Sequence, residues 1–251
     1  MSSHRKIEES SVKFHAYPKV RPPLPHAYLE IHRAHYKENR EGLSFASSMT
    51  QRLEKWMHTQ VSSDVASKGR GGATLEIGAG TLNHLGFEPN TVPYDIVEPF
   101  SELYQESRQI GRIRNIYADI SEVPPGYRYE RILAIATLEH ICDLPGVVSA
   151  AGMLLQDRGQ FRVAIPNEGS WLWSLGWKLT TGLEFRIRRG LDYSVLLAHE
   201  HVNNAEEIEV ILAYFFDITR ESFFGVSRSV SIYRCFVCSG VRTDRCIDYL
   251  E

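Results

Sequence analysis

Apolar residues in this chain gather into short runs near positions 73–78, 94–98, 114–118, 131–136 and 160–165, with polar segments between them. Runs of that length predict strands, and their alternation with helices or turns predicts a parallel sheet covered on both faces. Between about Gly42 and Gln60, the residues Phe45, Met49, Leu53, Trp56 and Met57 recur at helical spacing with charges interspersed. That is the pattern of an amphipathic helix lying on the sheet or over a cleft. Leu144 to Leu155 and Ala205 to Tyr214 read as further helices, and Phe215 to Arg220 and Ser229 to Val237 as strands. The connection between those two strands is too short for a right-handed crossover, so they pair antiparallel. The expected fold class is α/β: an open, doubly wound, mostly parallel sheet with an antiparallel C-terminal strand, a helical N-terminal cover and one long insertion. Residues 1–25, polar and then proline-rich, read as a mobile N-terminal arm, and residues 26–251 as one domain.

The first run leads into Thr74-Leu75-Glu76-Ile77-Gly78-Ala79-Gly80-Thr81, and the second ends at Glu98, eighteen residues after Gly80. Glycine lets the backbone approach a ligand closely and tolerates positive φ. A carboxylate one strand away supplies acceptors for the two hydroxyls of a ribose. Together they fit a nucleoside cofactor. A dinucleotide site needs a third glycine and a helix N-terminus facing the pyrophosphate. Here the third position is Asn83, and Gly86, Pro89 and Pro93 keep any following helix short or broken. An NAD-dependent oxidoreductase is accordingly disfavoured.

The pattern Glu76-x-Gly78-x-Gly80 resembles motif I of the class I S-adenosylmethionine-dependent methyltransferases, with Glu98 at the place of their ribose-binding acid. Tyr117-Ala118-Asp119-Ile120 resembles their third strand, whose terminal acid accepts from the adenine amino group. Arg131 to Ala136 resembles the fourth strand, followed by the Leu138-Glu139-His140 signature of a branch of small-molecule enzymes, and Gly159 to Pro166 the fifth. The resemblance spans residues 40 to 240 or so and implies a Rossmann-like fold binding S-adenosylmethionine. It carries over a cofactor site of Glu76, Gly78, Gly80, Glu98, Asp119, Thr137 and Leu138. Plainer readings stand beside it: Gly-x-Gly is often only a tight turn, and Asp119 also suits a helix cap.

After Ile165 some forty residues precede the next helix, at the strand ends where open α/β sheets bind ligands. This insertion, about 167–204, holds Trp171, Trp173, Trp177, Phe185 and Tyr193 with Arg186, Arg188 and Arg189. It reads as a lid, with Trp171, Trp173, Arg186 and Tyr193 as acceptor-binding candidates. An apolar helical hairpin with solvated arginines, or a segment making peripheral contact with a membrane, would leave the same composition. Transfer to a hydroxyl needs a base, and neutral histidine suits that at pH 7; His140, His199 and His201 are the candidates. No metal is expected, since His199-x-His201 lacks an evident third ligand. Ala136 also stands where some ubiquinone-pathway enzymes with the same signature carry a ligating acid.

A net charge of −3 gives no basic field for nucleic acid, and none is expected as a partner. No apolar run reaches membrane-spanning length and no secretory signal core opens the chain, so a cytoplasmic location is expected. Cys142, Cys235, Cys238 and Cys246 form no disulfide framework, and on a strand Cys235 and Cys238 point to opposite faces. The expected function is therefore S-adenosylmethionine-dependent methylation of an oxygen on a small-molecule, sugar or glycan-type acceptor. The alternative is a non-catalytic methyltransferase-like binding protein, which would commonly lack the cofactor residues that this chain retains.

Overall fold

The computed structural model describes residues 14–29, 31, 48–64, 72–178 and 182–251. Among them, seven strands form one sheet: β1 (Thr74–Ile77), β2 (Tyr94–Val97), β3 (Ile113–Tyr117), β4 (Tyr129–Ile135), β5 (Leu155–Pro166), β6 (Asp217–Ser227) and β7 (Val230–Ser239). Their order is β3-β2-β1-β4-β5-β7-β6, parallel except for β7, which runs antiparallel to both β5 and β6. The chain starts in the middle and winds outward twice, placing the switch point between β1 and β4. This is the expected doubly wound sheet. The strands β1 and β2 are buried along their whole length, as befits central strands covered on both faces.

Helix α1 (Ser48–Val61) covers one face, where Met57 and Val61 join Leu85, Ile96, Leu133 and Cys235 in the core. Residues 42–47 of the expected N-terminal helix lie outside the described residues. The other face packs against α2 (Leu144–Leu154), and the main core there includes Leu138, Phe161, Phe216 and Cys238. Cys235 and Cys238 thus face opposite sides of β7, and burial pushes both thiols up, Cys235 to about 12. Within the insertion the structure shows α3 (Trp171–Trp177), α4 (Leu183–Arg189) and α5 (Tyr193–Glu200). Then follow α6 (Ala205–Phe215), opened by an Asn204/Glu207 capping box, and the C-terminal α7 (Thr243–Leu250). At Gly152 of α2 a Cβ would stand 2.9 Å from Cys246 Sγ, so glycine permits α7 to pack this close. No helix among the described residues is long and apolar enough to cross a membrane.

Residues 14–21 of the segment read from sequence as a mobile arm make specific contacts with the rest of the domain. Phe14 packs edge-on against Tyr214 and Tyr249, with centroids 4.9 and 5.1 Å apart. The Lys19 amide donates to Cys142 O (2.9 Å), and its ammonium to Val202 O (2.8 Å) and Glu207 (2.7 Å). Arg21 donates to the carbonyls of His140 (2.7 Å), His199 (2.9 Å) and Glu200 (3.0 Å). Low local hydrophobicity suggested mobility, but partners more than 100 residues away hold this strap by polar contacts. Residues 1–13 lie outside the described part.

Asn203 fastens the turn after β4 to the start of α6. The buried Asn203 donates its amide to Leu138 O (2.9 Å) and Ile141 O (2.7 Å), and its oxygen accepts from Tyr17 (3.3 Å). Asn203→Ala leaves two carbonyls without these donors and should cost roughly 2–4 kcal/mol in urea unfolding. A loss below about 0.5 kcal/mol, the usual range for surface changes, would mean that the clasp is dispensable.

Candidate functional site

A cavity of about 950 Å³ opens over the carboxyl ends of β1, β2 and β4. Its floor is the turn after β1. Gly78 has φ +72°, and a Cβ there would fall 2.4 Å from Thr137 Cγ2; Gly80 has φ +52° with nothing within 4 Å of its would-be Cβ. Glycine at 78 therefore answers both backbone sign and space, whereas at 80 it answers backbone sign and leaves an open hollow. The Gly80 amide donates to Glu98 Oε2 (2.8 Å) and the Phe100 amide to Glu98 Oε1 (3.1 Å). Each of these buried carboxylate oxygens has a second lone pair for a ligand.

Glu76 also lines the cavity, accepts from Tyr94 Oη (2.9 Å), and is pushed up to about 7 by burial. Asp119 borders the cavity from the end of β3, but its Oδ1 takes the amide (2.9 Å) and hydroxyl (2.7 Å) of Ser121. Asp119 thus caps the 3-10 turn that follows β3 and lines the cavity. Thr137 lines the cavity and donates to Ile135 O (3.0 Å). Its neighbour Ala136 holds φ +49°, an uncommon value for a non-glycine residue and one often found at functional sites. Leu138 departs from expectation: it is fully buried in the main core and does not line the cavity.

The described residues of the insertion are largely helical, and their aromatic side chains pack on one another. Trp173 meets Trp177 at 6.2 Å, Trp177 meets Tyr193 at 6.0 Å, and Tyr193 meets Phe185 at 5.5 Å. Trp171 is 60% exposed on the outside, and Arg186, Arg188 and Arg189 are exposed, Arg188 pairing with Glu184 (3.0 Å). None of Trp171, Trp173, Arg186 and Tyr193 lines the cavity. Trp173, Trp177, Phe185 and Tyr193 pack against one another instead of facing the cleft, and Trp171 points outward. The lid reaches the cavity through His199 and Glu200 at the end of α5.

The three histidines take different places. His199 and His140 line the cavity, whereas His201 lies behind it, its ring edge-on to His140 at 4.7 Å. His199 sits in α5 and His201 just past its end, so the strand-like sharing of one face by positions i and i+2 does not arise. His199 Nδ1 pairs with Pro22 O (2.7 Å), and a carbonyl accepts only, so Nδ1 carries the hydrogen and Nε2 the lone pair of the neutral ring. His201 Nδ1 is hydrogen-bonded to Glu168, and the buried Glu139 is pushed up to about 7 by burial. Arg21 and His58 also line the cavity and escaped the sequence reading. Arg21 gave no local signal. His58 lies beside the inward-facing Met57 on α1, and its Nδ1 meets His84 Nδ1 at 3.0 Å. Burial and the neighbouring His84 push His58 down to about 4, so it is neutral at pH 7.

No family model and no curated protein sequence matches the chain. Solved structures do. A plantazolicin methyltransferase, in complex with a monoazolic desmethylPZN analog and S-adenosylhomocysteine, aligns with a TM-score of 0.59 at 12% identity, covering 85% of this chain and 93% of its own. An S-adenosylmethionine-dependent methyltransferase from Thermotoga maritima aligns with a TM-score of 0.54 at 14% identity over 85% of this chain and 98% of its own. The 1,6-didemethyltoxoflavin-N1-methyltransferase of Burkholderia thailandensis gives 0.53 at 17%, over 87% and 92%. The chain therefore has the fold of the class I S-adenosylmethionine-dependent methyltransferases. Identities this low carry the fold alone.

Glu76 offers a pH test of the cavity floor. Its raised pKa means that the native state holds the proton more tightly than the unfolded chain, so stability falls as pH rises from about 5 to about 7. Glu76→Gln removes that titration. Its melting temperature relative to wild type should climb between about pH 5 and about pH 8; a constant difference would show that Glu76 titrates normally.

Proposed function

We propose that the protein is an S-adenosylmethionine-dependent methyltransferase acting on an oxygen of a small polar acceptor of sugar or glycan type. One observation carries this reading: a single cavity joins the glycine cradle and Glu98 to His199. The cradle suits the cofactor, because the hollow over Gly80 and the remaining lone pairs of Glu98 match a nucleoside that brings two hydroxyls. Asp119 stands at the rim where an adenine amino group would be received.

The cofactor, when bound, supplies an activated methyl on a sulfonium sulfur. The chain then has to orient an acceptor hydroxyl in line, exclude water and take up one proton. His199 is the proposed base, since the Pro22 carbonyl fixes the tautomer that keeps its lone pair on Nε2. Arg21, by holding the His199 and Glu200 carbonyls, positions that end of α5.

Calorimetry and kinetics separate the two halves of the proposal. Glu98→Ala should weaken S-adenosylhomocysteine binding by about 2–4 kcal/mol. His199→Ala should leave that affinity unchanged and lower kcat by about 10²–10⁴-fold. Unchanged affinity in Glu98→Ala would place the cofactor elsewhere, and unchanged turnover in His199→Ala would remove it as the base.

A second reading concerns where the acceptor is met. Trp171 and Leu175 on α3, and Leu183 and Ile187 on α4, are exposed at i and i+4, so each pair forms a stripe. Trp173, Trp177 and Phe185 occupy the opposite faces of those helices and pack inward. With Arg186, Arg188 and Arg189 alongside, this outer face suits an anionic bilayer surface and a lipid-linked acceptor. Sedimentation with phosphatidylserine vesicles should retain the wild type and lose Trp171→Ser/Ile187→Ser; equal sedimentation of both would end this reading.

A further inference from the structure

Behind the cavity, a corner assembled from both ends of the lid and the turn after β4 has the makings of a metal site. A ring nitrogen of His140, a ring nitrogen of His201 and a carboxylate oxygen of Glu139 all lie within 4.8 Å of one another. Glu139 is 2% exposed, and its Oε2 makes no hydrogen bond. A buried carboxylate oxygen without a donor is costly and calls for an explanation. Its backbone is fixed as well, since Glu139 O accepts from the amides of Val202 (2.8 Å) and Asn203 (3.1 Å).

The histidines are oriented as ligands are. His140 Nδ1 pairs with Glu200 O (2.9 Å), so that nitrogen donates and the lone pair of the neutral ring falls on Nε2. His201 Nδ1 is hydrogen-bonded to Glu168, which favours the same tautomer. A carbonyl or carboxylate behind each ligating imidazole is the outer arrangement that fixes tautomer and ring direction in metal sites. Charge agrees. Glu139, Glu168 and Glu200 bring three carboxyl groups to the corner, with Glu200 Oε2 at 3.6 Å from His140. Arg21, which shares the corner, gives three of its hydrogen bonds to carbonyls.

We infer that Glu139, His140 and His201 bind one first-row divalent cation, of the Zn²⁺ type, with Glu168 and the Glu200 carbonyl as outer partners. Two imidazoles and a carboxylate are an established donor set for such ions. His201 follows α5, Glu168 precedes α3, and Glu139 follows β4. The ion would therefore tie the two ends of the lid to the central sheet beside the cavity, with His140 lining that cavity. This inference does not depend on methyl transfer.

The test is metal binding by the full chain, stripped with a chelator and titrated with Zn²⁺, with Co²⁺ as the spectroscopic probe. Wild type should bind one ion per chain, show the ligand-field absorption of Co²⁺ in a nitrogen-oxygen site, and melt at a higher temperature with metal than without. Glu139→Gln and His201→Gln should each lose stoichiometric binding and that absorption. Glu168→Gln, which touches no ion, should weaken binding by about 10–100-fold. His26→Ala, on an exposed residue, serves as control and should bind as wild type does. Absence of stoichiometric binding by the folded wild type would overturn the site. So would Glu168→Gln and His201→Gln variants that bind like wild type, whether or not Glu139→Gln folds.

Discussion

Glu98 receives the amides of Gly80 and Phe100 on its two carboxylate oxygens, and the rest of the cavity depends on that double acceptance. One buried charge closes the turn after β1 and opens the turn after β2. Charge-assisted bonds of this kind contribute about 1.5–3 kcal/mol each. They also hold Gly80 at positive φ, which makes the hollow above it. Gly78, pressed against Thr137, sets the distance between the ends of β1 and β4 across the switch point of the sheet. The floor is thus defined by two glycines and one acid that the ends of β1 and β2 bring together.

Much of the fold was legible in the sequence because a doubly wound sheet writes itself locally. Central strands are short apolar runs, and helices such as α2 and α6 begin on the capping residues Asp143 and Asn204. The boundaries that slipped have local causes. β5 starts at Leu155, but Gln156, Asp157 and Arg158 interrupt its apolar signal, and the pairing shifts register between Tyr129 and Arg131. The lid was visible as an excess of chain, yet its use was not. Trp173, Trp177 and Tyr193 can serve a ligand or one another equally well by composition, and the structure pairs them with one another.

The cofactor side of the site was more legible than the acceptor side for the same reason. Gly78, Gly80 and Glu98 announce themselves by spacing along consecutive elements, whereas Arg21, His58 and Glu168 gain meaning only from partners far along the chain. Glu139 illustrates the limit. Within Leu138-Glu139-His140 it looked like part of a signature, but burial beside His201 gives it a chemical environment that no local pattern conveys.

The strap that carries Lys19 and Arg21 has a consequence for the order of assembly. Its hydrogen bonds to Val202 and His199 join residues 183 and 178 positions apart. Contacts so distant in sequence form late, because the intervening chain must first be brought together. During synthesis this segment leaves the ribosome well before α5 and the Asn203 turn, and must wait for both before it has these partners to hold. The corner around His140 and His199 is therefore finished only when a segment made far earlier in the chain docks onto the end of α5.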